Sequence, residues 1–260
     1  MLEAKEITFK IGEKVLLDNL SVQFEAGKLN LIIGPNGAGK STLMKVISRQ
    51  LTDYQGTVSY NQADSKVLSD KKLAQMRAVL SQNIDLAFPL KVWEVVMMGR
   101  YPHFTDAPRQ IDRDACEAAL EFFDVMYMAE RDYLTLSGGE RQRVHFARVL
   151  TQIWNPIPNQ GRYLLLDEPL TFLDIHYQFQ FMHKLRELLK GKDLVVVGVV
   201  HDLNLAAQFG DVIHLIQDGK LIASGTKYEV LNMENIKQAF HLEPVIYHNK
   251  EKGSLHLFFE

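Results

Sequence analysis

Apolar and charged residues alternate over 2–9 (LEAKEITF), and that period predicts a β-strand. Gly12-Glu13 follows as a turn, and 15–17 and 20–24 read as further strands of an antiparallel sheet. The run 29–33 (LNLII) is apolar throughout and stops at a glycine, which suits a strand buried on both faces. A helix is predicted over 39–49, then strands over 56–60 and 78–82. The texture changes over 83–159, where helical periodicity dominates at 92–98, 113–123 and 139–152. The breaker run Asn155-Pro156-Ile157-Pro158-Asn159-Gln160-Gly161 ends that stretch. Strands over 163–167, 194–200 and 212–217 then alternate with helices over 175–189 and 203–209. The helix 175–189 carries an apolar stripe at Ile175, Phe179, Met182, Leu185 and Leu189. Short helices and two strands, 243–247 and 254–259, complete the chain. Such alternation implies an α/β core with a parallel sheet, here 1–82 and 160–260, interrupted by a helical insert, 83–159.

Composition narrows the function classes. The chain has 260 residues and a formal net charge of −3, so a general nucleic-acid binder, which would be basic, is disfavoured. One cysteine, Cys116, forms no intrachain disulfide and fits a reducing compartment. The longest aliphatic stretch, 194–200, is about a third of a bilayer span. With no apolar leader at its start, the chain is expected to be soluble and to meet a membrane only through a partner.

Three segments carry chemistry. Gly34-Pro35-Asn36-Gly37-Ala38-Gly39-Lys40-Ser41 matches G-x-x-x-x-G-K-[ST], placed after an apolar strand and before a helix. Its glycines let backbone N–H groups turn around phosphate oxygens, and the helix start adds a positive dipole end. Lys40 would reach the β- and γ-phosphates of a bound nucleotide, Thr42 would add a phosphate contact, and the Ser41 hydroxyl would ligate Mg²⁺. Asp167-Glu168-Pro169 ends an apolar strand, where ligands bind in open α/β sheets. Asp167 would hold Mg²⁺ and Glu168 would act as general base on the attacking water. The third segment, Ser137-Gly138-Gly139-Glu140, has the spacing of a capping box and equally that of a phosphate site at a helix start. Spacing alone leaves both readings open.

The order of these segments resembles the nucleotide-binding subunit of an ABC transporter over nearly the whole chain. The resemblance implies a P-loop NTPase (RecA-like) core with an N-terminal antiparallel β subdomain and an inserted α-helical subdomain. It also assigns Gln82 as a catalytic and Mg²⁺-linked glutamine, Asp174 to the loop after Asp-Glu-Pro, and His201 to the γ-phosphate. Two copies would pack head to tail around two ATP molecules, each phosphate loop facing the partner's Ser137, Gly138, Gly139 and Glu140. Val92-Trp93-Glu94-Val95-Val96-Met97-Met98-Gly99-Arg100-Tyr101-Pro102-His103 resembles a stretch of the importers for ferric siderophores, haem and vitamin B12. Within that subfamily, 148–169 is most similar to the haem branch.

The implied role is an ATPase, peripheral on the cytoplasmic face of a bacterial inner membrane. It would act as a homodimer on a permease dimer, with a substrate-binding protein outside and no nucleic acid. Residues 88–104 would line a groove for a permease helix, with Arg100 and Glu94 in contact. Two features depart from the family. Ile11 stands where an aromatic often stacks on adenine, so either aliphatic surface or Phe9 meets the base. Leu170 replaces a small polar residue. A soluble mechanical ATPase acting on nucleic acid or ribosomes, and an unrelated P-loop kinase, are the alternatives from other classes.

Overall fold

In a computed structural model the described residues are 1–80, 89–158, 160–171, 173–249, 251 and 253–259. The expected Gln82 lies outside them. The chain forms two compact units, Met1–Val67 with Leu189–Glu260, and Leu68–Leu188.

The first unit opens with β1 (Leu2–Ile11) and β2 (Lys14–Phe24), antiparallel across a turn at Gly12. Two strands were expected within 15–24, but one long strand forms. Its ladder shifts register beside Glu6 (φ 53°) and Asn19 (φ 48°), and side chains take over the displaced amides. The Glu6 amide donates to Ser21 Oγ at 2.8 Å and the Asn19 amide to Thr8 Oγ1 at 3.1 Å. β3 (Leu29–Ile33) is buried at every position and leads through the glycine loop into α1 (Lys40–Ile47). β4 (Gln55–Tyr60) and β5 (Ala63–Asp64) complete an antiparallel sheet of order β2-β1-β4-β5.

The second unit begins with α2 (Asp70–Met76), which the sequence pattern did not reveal because only Leu73 and Met76 are buried. β6 (Arg77–Leu80) follows, then α3 (Val92–Met97), a 3₁₀ turn over Met98–His103, α4 (Gln110–Phe122) and α5 (Gly138–Gln152). β7 (Arg162–Leu166) runs parallel to β6, with Leu80 opposite Leu166. β6, β7 and α6 (Ile175–Leu188) all fall within the unit Leu68–Leu188. Met182, Leu185 and Leu189 of the predicted stripe are buried, and Phe181 joins them. Ile175 is 73% exposed. Phe181 stacks on Phe146 of α5 at 3.9 Å between ring centroids, and this aromatic contact sets the buried face.

The chain then returns to the first unit. β8 (Leu194–Val199) lies parallel to β3, followed by α7 (Leu203–Phe209) and β9 (Val212–Gln217), parallel to the other edge of β3. β10 (Lys220–Gly225) is antiparallel to β9. α8 (Lys227–Val230), α9 (Met233–Phe240) and the hairpin β11 (Val245–Asn249) with β12 (Ser254–Phe258) close the fold. The expected combination of an antiparallel N-terminal sheet with parallel α/β elements holds. Among the described residues no helix is long and apolar enough to cross a membrane.

Candidate functional site

The glycine loop grows out of β3, and its backbone could not carry side chains at two positions. Gly34 (φ 149°) would place a Cβ 2.0 Å from the Ile216 carbonyl oxygen, and Gly39 (φ 101°) would place one 2.7 Å from that of Leu16. At Gly37 (φ 80°) a Cβ would meet nothing within 4 Å, so the loop is open there. The loop is fastened by Gly219 N–H to Ala38 O at 3.0 Å. Lys40 is only 5% exposed, and its Nζ donates to Gly34 O and Pro35 O at 2.8 Å each. The ammonium is therefore held over its own loop, where a phosphate would compete for it. Ser41 and Thr42 occupy the first turn of α1, whose leading N–H groups have no partner inside the helix. Pro35 and Asn36 form the outer lip, with Asn36 exposed.

His201 belongs to the same end of the same unit. Ile32 pairs in register with Val199 on parallel strands, and Val200 N–H continues the ladder to Ile32 O at 3.1 Å. His201 is the next residue after Val200, just beyond the end of that ladder. The imidazole is exposed. Asp202 behind it caps α7 through Asn204 and Leu205 N–H at 2.7 and 3.0 Å, which fixes where the histidine leaves the strand.

In the second unit Asp167 ends β7. Its N–H donates to Leu80 O at 3.0 Å, and it is 8% exposed. Glu168 adopts φ 52°, a left-handed conformation that a non-glycine residue takes only under constraint. The constraint is visible around it. Gln142 Nε2 donates to Pro169 O at 3.0 Å, and Gln178 Nε2 donates to Leu170 O and Leu173 O at 3.3 and 3.0 Å. Leu170 is buried, so it packs where the family carries a small polar residue, and no oxygen ligand is lost. Asp174 caps α6 through Tyr177 N–H at 3.0 Å.

Ser137 is the N-cap of α5 and Glu140 completes the capping box. Ser137 N–H donates to Glu140 Oε2 at 2.8 Å and Glu140 N–H to Ser137 Oγ at 3.3 Å. The Ser137 amide, then its hydroxyl contact, hold the Glu140 carboxyl below its ordinary value. Gly138 and Gly139 have ordinary helical geometry, and a Cβ on either would meet nothing within 4 Å. Among the described residues no contact requires them to be glycine.

One element of the site escaped the sequence, and one expectation is corrected. The tie from Gln142 to Pro169 joins the Ser137 helix to the acidic loop, and its only signal was Gln142 one turn into the helix. Arg100, expected to face a partner, is 2% exposed and paired with Asp112 at 3.0 Å. It is a core residue, because the α5 backbone and Asp112 supply the acceptors that allow burial. Phe9 is likewise buried at 7%, while Ile11 is 63% exposed.

A glycine cradle between a buried parallel strand and a helix, with a lysine folded into it, defines a phosphate-binding P-loop protein of the α/β class. The chain belongs to the ABC transporter family, whose model matches residues 17–171. It is 41% identical over 256 residues to a hemin import ATP-binding protein HmuV of Gloeobacter violaceus, covering 97% of this chain and 92% of that one. The HmuV protein of Agrobacterium fabrum is 42% identical over 248 residues, covering 95% and 93%. Among solved structures, a metal-chelate type ABC transporter in an inward-facing conformation superposes with a TM-score of 0.81 at 24% identity, over 100% of this chain and 96% of that one. A bacterial ABC transporter cassette solved as a dimer gives 0.74 at 26% identity, over 87% and 99%.

Proposed function

We propose that this chain is the ATP-hydrolysing subunit of a haem importer. It acts as a homodimer on a permease dimer at the cytoplasmic face of the inner membrane, with a substrate-binding protein on the far side. The observation that carries the reading is the Ser137-Gly138-Gly139 segment at the start of α5, with Ser137 and Gly138 exposed and open space around both missing Cβ atoms. Haem as cargo is supported by the 39–42% identity to hemin import proteins over at least 92% of this chain.

In this reading the 34–42 loop wraps the phosphates with its N–H groups, and Lys40 exchanges its two carbonyl acceptors for phosphate oxygens. Ile11 supplies the apolar surface for adenine, since Phe9 is committed to the core. Ser41 and Asp167 provide hard oxygen donors suited to Mg²⁺, which supplies charge neutralisation at the phosphates when bound. Gln82 would complete that set. Glu168 accepts a proton from the attacking water. His201 holds the γ-phosphate from the neighbouring strand end. Ser137 of the partner subunit donates its hydroxyl proton to the same group, aided by the positive end of its helix. One protomer alone lacks those donors, so nucleotide closes the dimer and hydrolysis reopens it. The helix-rich segment 83–159 is the part that a permease would displace, with Asp174 at the dimer seam.

Glu168→Gln is expected to give a stable ATP-bound dimer without turnover. Steady-state hydrolysis at the normal rate would remove Glu168 from the role of base. For the cargo, a deletion strain is expected to lose haem uptake and keep ferric-siderophore uptake; the reverse pattern would reassign the substrate.

A further inference from the structure

The β11–β12 hairpin has no part in holding nucleotide, yet it is fastened to the helix that follows His201. Burial alternates along β12: Leu255 and Leu257 are each 2% exposed, while His256 and Phe258 are open to solvent. β12 packs against α7, and Leu257 stands opposite Ile246 of β11. Asn204 Nδ2 donates to Leu257 O at 3.0 Å, and Leu257 N–H donates to Asn204 Oδ1 at 2.8 Å. One side-chain amide thus takes both main-chain groups of a strand residue, as a neighbouring strand would. The turn of the hairpin is held by α8, where Lys227 Nζ and Tyr228 Oη both donate to Gly253 O, at 2.6 and 3.1 Å.

His201 lies between two fixed points. On one side Val200 N–H is bonded to Ile32 O at 3.1 Å, which pins the end of β8 to β3. On the other, Asp202 Oδ1 accepts from the N–H groups of Asn204 and Leu205 and starts α7. Asn204 meets both the cap and the hairpin, since its main chain is bonded to Asp202 and its side chain to Leu257. A shift of the hairpin is therefore passed through that amide to the first turn of α7, directly beside His201.

We propose that Asn204 is a positioning residue that joins the β11–β12 hairpin to the first turn of α7, so that the seated hairpin fixes where His201 is presented to the γ-phosphate. Loosening the hairpin withdraws the histidine and leaves the phosphate loop intact, because that loop has its own ties through Gly219 and Lys40. The task of His201 rests on the function proposed above; the joint itself does not.

The test uses the full chain carrying Asn204→Asp. A carboxylate in the first turn suits a helix start, so α7 is kept while Leu257 O loses its donor. The kcat for ATP hydrolysis is expected to fall about tenfold or more, the scale of a catalytic group held slightly out of place. KM for ATP and affinity for ADP should stay within about twofold. His201→Ala lowers kcat by itself, and adding Asn204→Asp to it should cost less than about twofold more, as for residues that act as a unit. A purely structural role would lower the rate by the same factor with or without His201. That result, or an unchanged kcat in Asn204→Asp alone, would overturn the proposal. If His201→Ala hydrolyses ATP at the normal rate, the γ-phosphate role of His201 fails, and amide hydrogen exchange decides the joint. Faster exchange over 200–206 in Asn204→Asp, with 34–47 unchanged, supports it, and any other pattern overturns it.

Discussion

Gly34 and Ile216 are in backbone contact: a Cβ on residue 34 would come to rest 2.0 Å from the Ile216 carbonyl oxygen. The end of β3 and the end of β9 are thus pressed together where the phosphate loop begins. Gly34→Ala cannot be absorbed by a rotating side chain, because the obstruction is main chain. Nucleotide binding is expected to be lost and thermal stability lowered. By contrast, Gly37→Ala meets no atom and pays only for its left-handed backbone, about 1 kcal/mol. Calorimetric ATP titration of the two variants checks the contrast, and equal retention of binding would contradict it.

Gly138→Ala and Gly139→Ala should separate folding from function. Both positions lie in the first turn of α5 with open space around the missing Cβ. Alanine there is expected to stabilise the free subunit by about 0.5–1 kcal/mol through helix propensity. Hydrolysis should nevertheless drop steeply, because the methyl group stands where the partner's phosphate must approach. Thermal unfolding and steady-state ATPase on the same samples test this, and undiminished turnover would count against the shared site.

Asp112→Ala would strand the buried Arg100 guanidinium. The expected cost is about 3–5 kcal/mol in urea unfolding, as for other broken buried pairs. Burial by itself raises the Asp112 pKa. The Arg109 amide, the Arg100 hydrogen bond and both guanidinium charges outweigh it, so the carboxyl sits below its ordinary 3.8. The folded state therefore gains stability from this group above that pH and loses it as acid drives the pH down through the lowered value.

Two histidines set an earlier acid limit. Burial, first of all, lowers His145 and His214 from 6.5 to about 4. His145 also feels the Arg148 and Arg141 charges, and its Nε2 lies 2.7 Å from Tyr133 Oη. His214 is 2.9 Å from Ser224 Oγ through Nδ1. Because the unfolded chain takes up these protons first, stability is full above pH 6.5 and declines toward pH 4. At about 1.4 kcal/mol per pH unit, each histidine contributes about 3 kcal/mol. Replacing either with glutamine should flatten the fall in urea midpoint between those limits.

Ile11→Tyr adds a ring on the exposed tip of the β1–β2 turn. If adenine rests there, stacking of about 1–3 kcal/mol should tighten ATP binding about tenfold, with little change for free triphosphate. Phe9→Leu, inside the core, should alter stability instead. An unchanged ATP affinity for Ile11→Tyr would move the base elsewhere.

Much of this was legible from local pattern. The run 29–33 followed by glycines announced the strand, the loop and Lys40, because burial on both faces and φ values open to glycine leave compositional marks. The spacing of Ser137 and Glu140 left a cap and a phosphate site both open, and the cap forms. The helix at 70–76 left little mark, since a short helix with two buried residues has almost no period to detect. The single strand 14–24 was hidden by its bulge at Asn19, which breaks the alternation without ending the pairing.

The sequence by itself determined the parallel-strand and helix order, the phosphate cradle and the acidic strand end, because each is encoded within a few neighbouring residues. Only the tertiary structure decided that Arg100 is interior, that Ile175 is exposed and that Phe181 takes its place against Phe146. It also decided that β8 lies beside β3, with Ile32 opposite Val199, two residues before His201. These depend on which partners arrive from distant parts of the chain. A charged or apolar side chain reads the same on a helix whether an acceptor, a ring or water awaits it.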